Sequence, residues 1–516
     1  MAGQTLSDIL ARNVAERPQA PAARDGAVAL DWRGFAALAE GYAALFAREG
    51  VSPGDRVALW LPNCVDYFAA VFACARLGAL AVHVNTRFRV AEVGYLLRRS
   101  RASVLVTAWG FAPVDFAAIL AEVAPEDRAA LRLVIGRHAK TGEVAGLPVL
   151  PLAPMGAIPD RATPDLPCLT FTTSGTTKGP KLVLHRQRSI ATHAADVARA
   201  LRADAPDTAA LVAIPLCGTF GLALALGMAA GGGQLVFTDQ FDGAEADRLI
   251  REHAITHTGG SDDMLGRVAE AARGRPFDSL VFSAFARFTP NAAANVAAAD
   301  AARMNPRGVY GSSEVQALFA IAPDGRRMSD GGAPVSPLAE LSMRDPETSE
   351  PIPEGQDGEL CLRAPSQFDG YLEDLDATAR AFTPDGLFRT GDLARMEPPG
   401  FVYKNRLGDN LRLGGFLVSP DEIEAFLQSL PGIAQAQVVA AERGGERVAF
   451  AFVRPAPGAQ PDEPAILAAC RASLARYKQP ARVVTLDAFP VTDGPNGVKI
   501  QRARLRDMAN EALMRS

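Results

Sequence analysis

Phe171-Thr-Thr-Ser-Gly-Thr-Thr-Lys-Gly-Pro-Lys181 places five hydroxyl side chains, two glycines and two lysines within eleven residues. An apolar run, Leu166 to Phe171, leads in, and Leu182 to Leu184 follows. Short apolar runs bounded by turn residues read as buried strands, so the polar stretch is a turn between two of them. Its hydroxyls and backbone N–H groups can donate to phosphate oxygens, and its lysines supply positive charge. Glycine allows close approach of the backbone. The density of these groups favours a triphosphate cradle over a solvated turn. No Gly-Lys-Ser/Thr follows at P-loop spacing, which disfavours an ordinary P-loop NTPase.

Working outward, 516 residues exceed one compact core and imply two or more domains. The apolar fraction of 48% and charged fraction of 22% are those of a globular protein. A net charge of −5 gives no electrostatic reason to expect nucleic acid or an anionic membrane. No leader-like segment opens the sequence and no apolar stretch reaches spanning length, so no transmembrane segment and a cytoplasmic location are expected. The six cysteines, at 64, 74, 168, 217, 361 and 470, form no C-x-x-C pair. That spacing argues against a zinc site or a disulfide scaffold.

The fold class expected is α/β: a large N-terminal domain of stacked βαβ sheets with a small β-rich subdomain, and an α+β C-terminal domain. Helical patterns at Leu38 to Glu49 and Asp66 to Leu77 alternate with strand patterns at Val57 to Leu61 and Ala81 to Val84. Strand patterns continue at Leu211 to Ile214, Gln234 to Thr238 and Leu280 to Ala284, and a helix is expected over Asn291 to Arg303. Beyond Val335 the texture turns to short strands with frequent Pro, Gly and Asp. Ser419-Pro-Asp-Glu422 matches a capping box and opens a compact final unit. The expected division is residues 1–406 and 407–516.

Four more motifs follow the turn: Tyr310-Gly-Ser-Ser-Glu314, Phe388-Arg-Thr-Gly-Asp-Leu393, Asn405-Arg-Leu-Gly-Asp409 and Asn496-Gly-Val-Lys-Ile-Gln-Arg502. Singly, each has a plain explanation in packing, capping or surface charge. In this order, together with Pro53-Gly-Asp-Arg-Val57 and Tyr477-Lys-Gln-Pro480, they resemble the acyl-adenylate-forming superfamily of acyl-CoA synthetases, adenylation domains and beetle luciferase. The resemblance runs from about Leu6 to the C-terminus.

The resemblance implies an AMP-forming acid–CoA ligase with ATP, Mg²⁺ and coenzyme A as reactants or cofactors. Thr173, Ser174, Gly175, Thr176, Thr177, Lys178, Gly179 and Lys181 would hold phosphates. Tyr310, with Gly311, Ser312 and Ser313, would line the adenine side, and Asp392 and Arg406 the ribose. Thr176 and Glu314 would position Mg²⁺, and Lys499 would bridge the acid and the α-phosphate. Gly218, Phe285 and Gly311 would line the acyl pocket. Residues 1–406 would bind ATP and acid and 407–516 would be the mobile C-terminal domain, with Gly408 and Asp409 as the hinge and Gly414, Gly415 and Phe416 as the CoA path. Two alternatives stay open: loading of a carrier-protein pantetheine, and a silent nucleotide- or acyl-binding homologue. A homo-oligomer is also left open.

Three departures from the pattern stand out. Gly218 replaces the usual pocket histidine in Pro215-Leu-Cys-Gly-Thr-Phe-Gly221. Ala284-Phe-Ala286 replaces a Gly-Gly-Ala, so Phe285 is expected to add bulk at the pocket floor. The loop Pro490 to Lys499 is three residues longer than usual, with Arg502 the fallback for Lys499. Asp262 or Asp263 could face the substrate, although a helix N-cap before Met264 is the stronger reading.

Overall fold

The computed structural model describes residues 5–514 except 27, 174–179, 288–290, 324–330, 408–410, 414–415, 419, 444–445, 475 and 495–496. Two compact units result. The first comprises Met1–Arg287, Asn291–Glu340 and Leu362–Phe388; the second comprises Phe288–Pro290, Leu341–Cys361 and Arg389–Ser516. The β-rich residues 341–361 and 389–406 thus group with the C-terminal residues.

The first unit is built on two sheets. In one, strands Pro167–Thr172, Leu80–His83, Arg56–Trp60, Val104–Ala108, Leu133–Arg137 and Leu147–Pro151 are successive parallel neighbours. Val104–Ala108 is buried at every position, as parallel strands covered on both faces require. Leu182–Arg186 then runs antiparallel beside Pro167–Thr172, and Gly370–Tyr371 antiparallel beside Leu182–Arg186. The expected strands flanking the polar turn are therefore present, and the short 370–371 strand beside them is an addition.

The second sheet has the parallel series Pro306–Ser312, Phe282–Ala286, His257–Ser261, Ala209–Val212, Gln234–Phe237 and Pro21–Asp25. The helix Thr219–Gly231 is buried over nearly its whole length, the pattern of a helix enclosed on all sides. It lies so close to the helix Gln187–Leu201 that a Cβ on Gly227 would stand 2.4 Å from Val197 Cγ1. Helices Gly243–Glu252, Asp262–Ala271 and Ala292–Ala301 cover the far face, where Leu211, Val236, Ile250, Leu265, Phe285 and Val296 form a separate apolar cluster.

In the second unit, strands Glu340–Arg344, Asp357–Arg363, Phe388–Glu397 and Gly400–Arg406 are neighbours in that order. A three-stranded sheet follows, with Ile433–Arg443 at one edge, Glu446–Pro455 in the centre and Pro480–Thr485 beyond. Its alternating residues explain its layers. Ala436, Val438, Ala449 and Ala451 pack with Ile423, Leu427, Ile466 and Cys470 of the helices Pro420–Gln428 and Glu463–Ser473. Val439, Ala441, Phe450 and Phe452 point the other way, to Leu505 and Ala509 of the helix Arg502–Met514. A period of two on a strand is what allows one sheet to serve two helical layers.

Candidate active site

The base of the polar turn is closed by two hydrogen bonds. Thr173 N donates to Lys181 O at 3.0 Å, and Lys181 N donates to Thr173 Oγ1 at 3.1 Å. Tyr95 Oη adds a third brace by donating to Pro180 O at 3.1 Å. Ser174, Gly175, Thr176, Thr177, Lys178 and Gly179, all expected phosphate ligands, lie outside the described residues.

The second expected motif sits between strands Pro306–Ser312 and Gln316–Ile321. Their register shifts between Tyr310 and Ser312. Gly311 fills that bulge, where a Cβ would lie 2.4 Å from Gln316 O. Gln316 and Leu318 carry positive φ values of 65° and 62°, a conformation side-chain-bearing residues rarely adopt. The strain is held in place by the Gln316 amide, which donates to Ser189 O and Ser366 O, both at 3.1 Å. Tyr310 is 7% exposed, its ring edge-on to Phe319. Ser312 Oγ accepts from Glu314 N at 3.3 Å.

Two histidines brace this turn from inside the core. His185 Nε2 donates to Ser313 O at 2.7 Å, and His193 Nε2 donates to Ala317 O at 2.7 Å. Both are buried, and burial pushes each imidazole down to about 4, so both are neutral near pH 7. Ala317 N in turn donates to Thr219 Oγ1 at 3.1 Å. The carbonyls on both sides of Glu314 are thereby fixed.

Glu314 itself is held at two points. Its backbone O accepts from Phe368 N at 2.7 Å, and its Oε1 accepts from Tyr371 Oη at 3.0 Å. Lys181 Nζ stands 4.3 Å from the centre of the Tyr371 ring. The structure therefore brings Thr173, Lys181 and Glu314 together around Tyr371, a residue not singled out in the sequence. Only the Gly-Tyr pair between polar segments marks it there, and that alone reads as a turn.

In the second unit, Asp392 and Arg406 face each other across the ladder of Phe388–Glu397 and Gly400–Arg406. Arg406 Nε lies 3.1 Å from Asp392 Oδ1, and Arg406 Nη1 donates to Thr390 O at 2.6 Å. The preceding turn depends on Glu359, also unmarked in the sequence and 2% exposed. It accepts from Arg389 Nη2 at 2.6 Å and from Gly391 N at 3.2 Å. The pairing raises the Arg389 guanidinium pKa above its ordinary value.

Lys499 lies on strand Gly497–Ile500, opposite Thr492 of Val491–Gly494; its side chain is outside the described set. Arg502, the fallback, is engaged in its own unit by Glu424, with Nη2 3.1 Å from Oε1. Gly408, Asp409, Gly414 and Gly415 lie outside the described residues, as does the Phe416 side chain, whose backbone pairs with Leu413.

Of the expected acyl-pocket residues, Gly218 caps the N-terminus of Thr219–Gly231, its N–H donating to Pro215 O at 3.1 Å. Phe285 is a correction. Strand alternation turns it into the far-face cluster, 1% exposed, while Ala284 and Ala286 face the other core. Its bulk fills that core. Asp262 is buried and accepts from Asn295 Nδ2 at 3.1 Å, and Ser261 is the N-cap, accepting from Met264 N at 3.2 Å. The capping reading holds.

Among the described residues no group of three or more His, Cys, Asp or Glu could hold a metal ion. Glu314 therefore offers a single hard oxygen donor group. That suits Mg²⁺, which binds through one or two carboxylates and keeps substrate phosphates and water as its other ligands. Among the described residues, no helix is long and apolar enough to cross a membrane.

Comparison with known proteins fits this arrangement. The family described as AMP-binding enzyme matches residues 10–372, and the AMP-binding enzyme C-terminal domain matches residues 422–493. The chain belongs to the AMP-binding enzyme family. A 2-hydroxy-7-methoxy-5-methyl-1-naphthoate–CoA ligase of Streptomyces carzinostaticus is 30% identical, over 98% of this chain and 93% of its own. A feruloyl-CoA synthase of an Amycolatopsis species is 31% identical, over 95% of this chain and 97% of its own. The ATP-bound crystal structure of MatB from Rhodopseudomonas palustris shares the fold, with a TM-score of 0.83 at 23% identity over 99% of this chain and 100% of that one. The α/β architecture and the acid–thiol ligase class expected from the sequence both agree with these relatives.

Proposed function

We propose that the protein is an AMP-forming acid–CoA ligase acting on a hydrophobic monocarboxylic acid, medium-chain or aromatic. The observation that carries this reading is the meeting of Lys181 and Glu314 at the foot of the polar turn, through Tyr371. Two relatives named for aryl-acid substrates favour the aromatic arm.

In the first step an acid oxygen attacks the α-phosphorus of ATP, forming an acyl-adenylate as pyrophosphate departs. Two anions must meet, so the protein's task is positioning and charge neutralisation. Thr173 to Lys181 would hold the β- and γ-phosphates with backbone and side-chain donors. Lys499 would neutralise the acid and the α-phosphate together. Tyr310 would stack on adenine; Gly311, Ser312 and Ser313 would line its approach. Asp392 would accept from the ribose hydroxyls, with Arg406 beside it. Glu314 and Thr176 would hold Mg²⁺, which when bound offsets phosphate charge. In the second step the CoA thiol attacks the carbonyl and AMP leaves. Residues 407–516 would move as a domain about Gly408 and Asp409, withdrawing Lys499 and presenting Gly414 to Phe416 to the pantetheine arm. Gly408→Pro, which locks φ at that position, should slow the second half-reaction more than the first in stopped-flow measurement.

The test is ATP–pyrophosphate exchange across a panel of aliphatic and aromatic acids, followed by AMP release with CoA or with carrier protein as acceptor. Exchange with no acid would sink the reading. Transfer to a carrier but not to CoA would replace it with carrier loading.

A further inference from the structure

Tyr371 is anchored on every side, and each anchor ties one part of the nucleotide site to another. The residue pairs with Val183 on the strand that leaves the polar turn. The next residue, Leu372, donates its N–H to Leu182 O at 2.8 Å. Tyr371 N donates to Thr378 Oγ1 at 2.9 Å. Its ring stands edge-on to Phe368, 5.1 Å between centres, and Phe368 N is the group that fixes the Glu314 carbonyl. Residues 368–372 are thus zipped both to the strand beneath Lys181 and to the turn carrying Glu314. Gly370, with φ of +144°, lets this strap turn, and a Cβ there would approach Thr378 Cγ2 to 2.9 Å.

Among the described residues, this ring makes two polar contacts through its hydroxyl and its face. Its hydroxyl donates to Glu314 Oε1, and its face carries the Lys181 ammonium. A phenol that donates to a carboxylate becomes richer in electron density, which strengthens attraction of a cation over the ring. The same hydrogen bond selects one rotamer of a side chain that otherwise has several.

Resting on the function proposed above, we infer that Tyr371 is a positioning residue for the metal–nucleotide complex. It sets the Glu314 carboxylate for the cation and the Lys181 ammonium for the phosphates as one unit. It touches neither reactant.

Calorimetric titration of the full-length protein with ATP, in excess Mg²⁺ and again in EDTA, tests this. Tyr371→Phe keeps the ring, the strap and the lysine contact and removes only the hydroxyl. It should weaken Mg²⁺–ATP binding by about tenfold, the scale of a hydrogen bond to a charged group. Binding of metal-free ATP should stay within about twofold, because without the metal the carboxylate has no ligand to position, and thermal stability should fall only by the modest contribution of one hydrogen bond. In a Glu314→Gln background the same change should add little, because its partner is already altered. Mg²⁺–ATP affinity equal to wild type, an equal loss in EDTA, or full additivity with Glu314→Gln would each overturn the inference while leaving the proposed activity standing. Wild-type protein that binds no Mg²⁺–ATP would overturn both together.

Discussion

The turn around Glu314 and the turn before Asp392 are both motif-bearing, yet they are stabilised by opposite means. In the first unit, neutral donors do the bracing: two imidazoles and a carboxamide, all buried, reach the backbone of residues 313–317 and its neighbours. In the second, formal charges do it: Glu359 clamps Arg389, and Arg406 sits beside Asp392. The difference has an electrostatic logic. A charged imidazole beneath Glu314 would compete with the cation that carboxylate is proposed to hold. Low dielectric keeps His185 and His193 uncharged and leaves the carboxylate's field intact. At Asp392 a neighbouring cation would do no such harm if its partners are the ribose hydroxyls proposed above, which donate to the carboxylate in any case.

The largest expected effect concerns the strand carrying Lys499, where, on the function proposed above, a charge would serve chemistry and not scaffolding. Lys499→Ala should lower adenylation by a factor of about 100 to 1,000, the range for removing one stabilising group at a site of developing charge. Thioester formation from a supplied acyl-adenylate should persist. Rapid-quench measurement of each half-reaction decides, and equal loss in both would end the division of labour.

Glu359→Ala should come next. It strips the partner from Arg389 and an acceptor from Gly391 N–H, with an expected loss of about 2–3 kcal/mol after discounting for the partly exposed arginine. Guanidinium unfolding would measure it. Added salt should narrow the gap between variant and wild type, because the lost interaction is ionic.

His193→Asn should be milder, about 1–2 kcal/mol, because a neutral donor is shortened and not deleted. Here salt should matter little and pH a good deal. Folded-state pKa values of about 4 for His185 and His193 lie below the ordinary 6.5. The unfolded chain therefore binds their protons first. Their contribution to stability is complete above about pH 6.5 and is lost progressively as pH falls toward 4. The variant should show a shallower decline over that window; an unchanged slope would contradict the neutral bracing.

Much of this was legible in the sequence, for reasons that are local. The strand at 167–172 and its partner at 182–186 announce themselves as apolar runs around a polar turn. The helix expected from Asp66 to Leu77 runs from Val65 to Leu77, and that expected from Asn291 to Arg303 runs from Ala292 to Ala301. What escaped is tertiary. His185 reads as one more residue of the strand Leu-Val-Leu-His-Arg; its role exists only because Ser313 is folded over it. Tyr371 lies in a two-residue strand too short to carry a periodic signal and meets Glu314 across 57 positions of chain. Phe285 was assigned by its place in a motif, although alternation along Phe282–Ala286 would have turned it away from its alanine neighbours. The charge-rich helix Arg502–Met514 escapes the pattern because its polar face dominates it, and the buried Leu505 and Ala509, with half-buried Met508 and Leu513, report the core beneath it.

The sulfurs of this chain carry one practical consequence. All six cysteines are free, five are buried, and Cys217, the sixth, is pushed up to about 12 by burial. Protonated, enclosed thiols react poorly with disulfide reagents. A colorimetric reagent added to the native protein should therefore see background only from the partly exposed Cys217, so replacing that one cysteine suffices to follow the disappearance of an added thiol substrate.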